Sequence, residues 1–112
     1  MSDVWRITPE KVRAAVDRVV EACNPRRIIL FGSCASGNVG RDSDLDLLVV
    51  IDRIIDNPRK ESVRIRRALK GLLIPVDIVV IEEERLTDLA EVPGLVYREA
   101  VRNGKVVYES AA

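Results

Sequence analysis

Asp44-Leu45-Asp46-Leu47-Leu48-Val49-Val50-Ile51 is the stretch on which the fold turns. Its six aliphatic residues fall on both faces of an extended chain, the pattern of a strand covered by helices on each side. The two aspartates stand at its entry, two residues apart, so their carboxylates point to one face. Upstream, residues 32–44 are rich in Gly, Ser, Asn and Asp and read as loop, with room for a short helical turn. Before that loop, Arg27-Ile28-Ile29-Leu30-Phe31 is a short apolar run bounded by Gly32-Ser33, a second buried strand. Earlier still, Thr8 suits a helix N-cap and Pro9 the first helical position. Val12, Val16, Val19, Val20 and Cys23 continue that helix as one apolar stripe, and Asn24-Pro25 ends it.

Downstream of Ile51, Pro58 opens a second helix, with Val63, Ile65, Leu69, Leu72 and Leu73 for its buried side and Gly71 as an imperfect stop. Pro75 precedes a third strand, Val76-Asp77-Ile78-Val79-Val80-Ile81. Polar residues 82–85 lead into a further helical region. Pro93 is expected to open a last helix, and Asn103-Gly104 to close it with a left-handed cap. Lys105 to Glu109 is either a short strand or a tail. The order of elements predicts an α/β (α+β) domain, a small mixed β-sheet flanked by helices, over residues 1–112 as one unit.

Composition narrows the chemistry. The 112 residues include 18 basic and 18 acidic side chains, a formal net charge of zero, which speaks against general nucleic-acid binding. There is no histidine, so the usual zinc ligand and the usual general base are both missing. Cys23 and Cys34 allow at most one bridge. Catalysis must rest on carboxylates, hydroxyls, backbone amides or a bound hard cation. A polar N-terminus and the lack of a membrane-length apolar run predict a cytoplasmic protein with no membrane partner.

Asp77 interrupts an apolar strand one residue inside its entry, as Asp46 does. If the two strands are neighbours, Asp44, Asp46 and Asp77 converge, and carboxylates so crowded repel one another. A divalent cation removes that conflict, and Mg²⁺ characteristically binds through one or two carboxylates plus substrate phosphates. Either Asp44 or Asp46 alone reads as a turn residue or an edge charge; the pair with Asp77, set among Val, Ile and Leu, reads as a metal site. Gly32-Ser33 lets the backbone approach a ligand closely, and a helical turn starting at Ser33 would aim N–H groups at a phosphate. Gly32 to Gly37 mimics the start of a P-loop, but Asn38-Val39 replaces the required Lys and Ser/Thr. Asp42, Asp44 and Asp46 mimic a calcium loop, but Leu47 stands where its turn glycine belongs.

Gly32-Ser33, ten intervening residues, then Asp44-Leu45-Asp46 running into Leu47-Leu48-Val49-Val50 resembles the Gly-Ser…Asp-x-Asp signature of the polymerase-beta-like nucleotidyltransferases, most closely the minimal nucleotidyltransferases of prokaryotes. The resemblance is strong over residues 28–51, good over 76–81 and loose over 93–109. It implies two Mg²⁺ ions held by Asp44, Asp46 and Asp77, ATP as nucleotide substrate, and Gly32 and Ser33 at its phosphates. Many members carry arginines shortly after the Gly-Ser pair, where this chain has Cys34 and Ser36; Arg41 keeps one cation in the loop. The resemblance further implies an acceptor on a HEPN-type helical protein, which the nucleotidyltransferase, as antitoxin of a toxin–antitoxin pair, modifies with AMP. The competing reading is a module that binds nucleotide and partner and neutralises that partner by contact; small-molecule transfer within an oligomer is a third. Arg59, Lys60, Arg64, Arg66, Arg67 and Lys70 crowd the second helix and read first as a solvated face.

Overall fold

The computed structural model describes residues 7–36 and 44–110, the side chains of Ser33 and Ser36 excepted. Thr8 caps the first helix, its hydroxyl accepting the Lys11 N–H at 3.2 Å, and α1 runs Pro9–Cys23. Asn24 ends α1 in the left-handed conformation (φ 46°) as Pro25 demands a break. β1 follows at Arg27–Phe31, then a four-residue helix α2 at Ser33–Ser36, then β2 at Leu45–Ile51, one residue later than Asp44. Asn57 caps α3 (Pro58–Ala68) by accepting the Lys60 N–H at 3.1 Å. β3 spans Val76–Glu82, and α4 (Glu83–Leu89) starts at once, so the polar residues 83–85 are its first turn.

Two expectations at the C-terminal end need correction. Pro93 does not open the last helix, because Gly94 (φ 86°) turns the chain there, and α5 begins at Val96 (Val96–Asn103). Nor is Gly104 a left-handed cap: its backbone is extended, at φ −82° and ψ 176°. Crowding is what requires a glycine at 104. An added Cβ would run into the Ala100 carbonyl, and would stand 2.6 Å from Ile29 Cγ2 and 2.8 Å from the Leu30 carbonyl oxygen. Two of these neighbours are backbone and cannot swing aside. Gly104→Ala is therefore expected to lower stability by about 1–3 kcal/mol, read as a drop in the thermal midpoint.

Lys105–Glu109 is a strand, β4, which completes a four-stranded sheet in the order β3-β2-β1-β4. β1 pairs antiparallel with both β2 and β4, while β2 and β3 run parallel, joined through α3 as crossover. The sheet is thus mixed and flanked by helices, as the sequence predicts. Leu45, Leu47, Val49 and Ile51 pack with Ala15, Val19 and Ile65 of α1 and α3. Leu48 and Val50, on the other face, pack with Leu86 of α4 and Ala100 of α5. The unbroken aliphatic run of β2 is explained by this double cover. In α3 only Ile65 is buried within the helix, with Leu69 beyond it; Val63 and Leu73 are 40% and 45% exposed, against the expectation that both face inward. Among the described residues no helix is long and apolar enough to cross a membrane.

Candidate active site

Alternation along β2 puts Asp46 on the face of Leu48 and Val50, at the strand's entry end. The register then fixes its neighbours: Asp46 stands opposite Phe31 of β1 and opposite Asp77 of β3. Direct partners on adjacent strands share a face, so the Asp46 and Asp77 side chains rise side by side, as the sequence anticipates if the strands adjoin. Asp44 is exposed, in the residue before the strand. The chain there is held twice: the Leu45 N–H donates to the Pro75 carbonyl at 2.8 Å, and the Cys34 thiol to the Asp44 carbonyl at 3.2 Å.

Gly32 closes the other side of Asp46. Its φ of 76° is left-handed, and a Cβ there would run into Asp46 Oδ2. Backbone and carboxylate come this close only because residue 32 has no side chain. The Gly32 carbonyl receives the Ala35 N–H at 3.1 Å, closing the first turn of α2. The N–H groups of Ser33 and Cys34, ahead of that turn, have no acceptor within a helix of this kind. Arg41 lies outside the described residues, as does the side chain of Ser33.

The electrostatics mark an unbalanced negative locus. Burial holds the Asp46 carboxyl above the ordinary carboxylate range, and Asp77 and Asp44 push it further the same way. Burial likewise raises the Cys34 thiol, helped by Asp46 and Asp44. Among the described residues one cation answers Asp77: Arg66 of α3, its Nη2 at 3.5 Å from Asp77 Oδ1, both side chains largely exposed. Nothing local in the sequence separates Arg66 from the other cations of its helix; the contact depends on where α3 crosses β3.

Among the described residues, no three acidic or cysteine side chains stand as a group able to hold a metal ion in the present arrangement. Asp77 is turned to Arg66, and a cation would have to compete with that guanidinium. The donor set nonetheless fits a hard divalent ion, being all carboxylate oxygen, with Asp46 destabilised in its charged form by its own neighbours. Asp46 Oδ2 itself occupies the space that a Cβ at residue 32 would fill, close against the Gly32 backbone.

Comparisons with known proteins bear on the fold and the family. The family model for polymerase beta nucleotidyltransferases matches residues 16–112. A candidate nucleotidyltransferase from Sulfolobus solfataricus is similar in structure, with a TM-score of 0.63 and 22% identity, over 89% of this chain and 78% of that one. A chain of a toxin–antitoxin structure with AMP-PNP is similar with a TM-score of 0.56 and 22% identity, over 88% of this chain and 73% of that one. No curated protein matches the chain.

Proposed function

Because the chain belongs to the polymerase beta nucleotidyltransferase family, we propose that it transfers AMP from ATP to a hydroxyl of a partner protein, with Asp44, Asp46 and Asp77 as its metal-holding carboxylates. The observation that carries this reading is the register that pairs Asp46 with Asp77, with the side-chain-free Gly32 letting the Asp46 carboxylate lie close against the head of α2. Gly32 and Ser33 receive the triphosphate through backbone N–H groups at the head of α2. The acceptor hydroxyl then reaches the α-phosphorus from the side of Asp77. A bond forms from the acceptor oxygen to that phosphorus, the bond to the bridging oxygen breaks, and pyrophosphate departs. Asp77 takes the acceptor's proton. Two bound Mg²⁺ ions would supply Lewis-acid polarisation of the α-phosphate and neutralise the leaving pyrophosphate. Asp46, already short of favourable solvation, is the carboxylate with most to gain from such a counter-charge.

The nucleotide and the partner are drawn from likeness: the similar toxin–antitoxin structure contains AMP-PNP. A HEPN-type helical toxin, with this chain as antitoxin, is the partner the sequence signature implies. A second reading is that the chain neutralises its partner by contact alone. It is favoured by Cys34 and Ser36 at the positions of loop arginines and by the Arg66 guanidinium standing on Asp77.

Intact-mass measurement separates the two. The chain is mixed with ATP, Mg²⁺ and the protein encoded beside it. The expected result is a gain of one or more AMP units on the partner, absent with Asp44→Asn. A stable complex with unchanged masses would instead establish neutralisation by contact.

A further inference from the structure

We propose that the ridge formed by Arg59, Val63, Arg66 and Lys70 is the docking surface for the acceptor protein, and that the acceptor presents carboxylates around a small apolar spot. This rests on the reading of residues 44, 46 and 77 as the transfer site. Arg59, Val63 and Arg66 are spaced i, i+4 and i+7, which lines them along one side of α3, away from buried Ile65, and Lys70 follows in the turn just past the helix end. Arg66 reaches Asp77, so the ridge leads to the reacting carboxylates.

Its charge exceeds what a solvated helix needs. Residues 58–70 hold six cations and one acid, Glu61, in a chain whose formal net charge is zero. Glu61 is taken by Arg64 at 2.7 Å, on the other side of the helix. Among the described residues, Arg59 and Lys70 make no ion pair. The helix dipole accounts for Arg66 and Arg67 in the last turn, but it disfavours a cation such as Arg59 in the first. Nor does solvation account for Val63, 40% exposed in the middle of the ridge.

Position in the sheet assigns the ridge to the acceptor and not to the nucleotide. The phosphate loop leaves β1, while Asp77 and α3 lie beyond β2 on its far side. The chemistry favours a protein over a nucleic acid. No aromatic ring lies on the ridge for base stacking, and its centre is aliphatic. Three of the four positions are cations and two of those are arginines, which pair with carboxylates in fixed geometry.

The test uses the full chain and a fluorescein-labelled helical peptide carrying glutamates around a leucine, read by fluorescence anisotropy. A single-stranded oligonucleotide of equal charge is the comparison. Arg66 is left intact because it touches Asp77; the variant is Arg59→Glu with Lys70→Glu, and a milder Arg59→Gln/Lys70→Gln pair serves if the first unfolds. Arg98→Glu/Arg102→Glu on α5 is the control for general charge. Peptide affinity is expected to fall about tenfold with the Glu pair, less with the Gln pair, and not with the control. Equal affinity in all variants overturns the proposal, and so does an oligonucleotide that outbinds the peptide through Arg59 and Lys70. Binding of α,β-methylene-ATP with Mg²⁺ to the unaltered chain is measured separately. Its absence would count against the transfer site while leaving the peptide result to stand by itself.

Discussion

Asp46→Asn is expected to abolish nucleotide transfer and, in the same step, to raise the melting temperature of the metal-free protein. The first effect follows from the role proposed for Asp46. A ligand to a catalytic cation contributes several kcal/mol of transition-state stabilisation, so its loss lowers the rate by about 10²–10⁴-fold. The second follows from the carboxyl's environment. Burial, then Asp77, then Asp44, raise the folded-state pKa of Asp46 above its ordinary value. Below the ordinary value the group is protonated in both the folded and the unfolded chain, and the fold bears no penalty. As pH climbs through the raised pKa, the folded state surrenders a proton it held more tightly than the unfolded state did, and stability falls. At neutral pH the Asp46 carboxylate therefore opposes folding, and asparagine of similar shape removes that opposition. Thermal melts of both proteins in chelator, from acidic to neutral pH, should diverge in favour of the variant as the pH rises. Added Mg²⁺ should then stabilise the unaltered chain, by mass action on the folded state, and leave the variant where it was. Undiminished transfer by Asp46→Asn, or a variant less stable than its parent at neutral pH, would each sink the assignment.

How far the site could be read from sequence depends on the range over which each feature is decided. Thr8-Pro9 and Asn24-Pro25 are local statements about φ and hydrogen-bond donors, and α1 begins and ends where they place it. The aliphatic run of residues 45–51 announces a doubly covered strand because both faces of that strand meet helices. Strand period alone predicts one face for Asp44 and Asp46, but β2 begins at Leu45, so the period governs only Asp46. The pairing of Asp46 with Asp77 does not follow from period, because it needs β2 beside β3 in a particular register, which the sequence carries only through family resemblance. Pro93 misled for a related reason. Proline suits a first helical turn and a reverse turn equally, and the left-handed Gly94 beside it selects the turn. Gly104 reads as a cap because glycine after a helix usually is one; its constraint is the Ala100 carbonyl together with the approach of β1, the latter invisible without the sheet. Arg66 is the clearest case of the kind. Within its helix it is one cation among five, and only the crossing of α3 over β3 sets it against Asp77.

Gly32→Ala is expected to separate activity from stability, because it displaces the Asp46 carboxylate from the place it holds against residue 32. Two costs meet at this position. The left-handed backbone, φ 76°, penalises any residue with a Cβ by about 1–2 kcal/mol. Gly71 supplies the control for that cost alone, since its φ is 94° and a Cβ there would meet nothing within 4 Å. At Gly32 the new methyl would also strike Asp46 Oδ2, while Asp46 Cγ would be at 3.3 Å and Asp46 Cβ at an ordinary 3.6 Å. The obstacle is thus the far end of a side chain, which relieves the contact by turning. Turning is cheap for the fold, so the two alanine variants should melt within about 1 kcal/mol of each other. It is costly for the chemistry, because a carboxylate displaced by roughly an ångström from its working position loses about a hundredfold in rate. Transfer should therefore collapse in Gly32→Ala and persist in Gly71→Ala, and the Mg²⁺-dependent gain in melting temperature should vanish only in the former. Equal transfer by both variants would mean that Asp46 does not need the space beside Gly32, and the site would then have to be built without that oxygen.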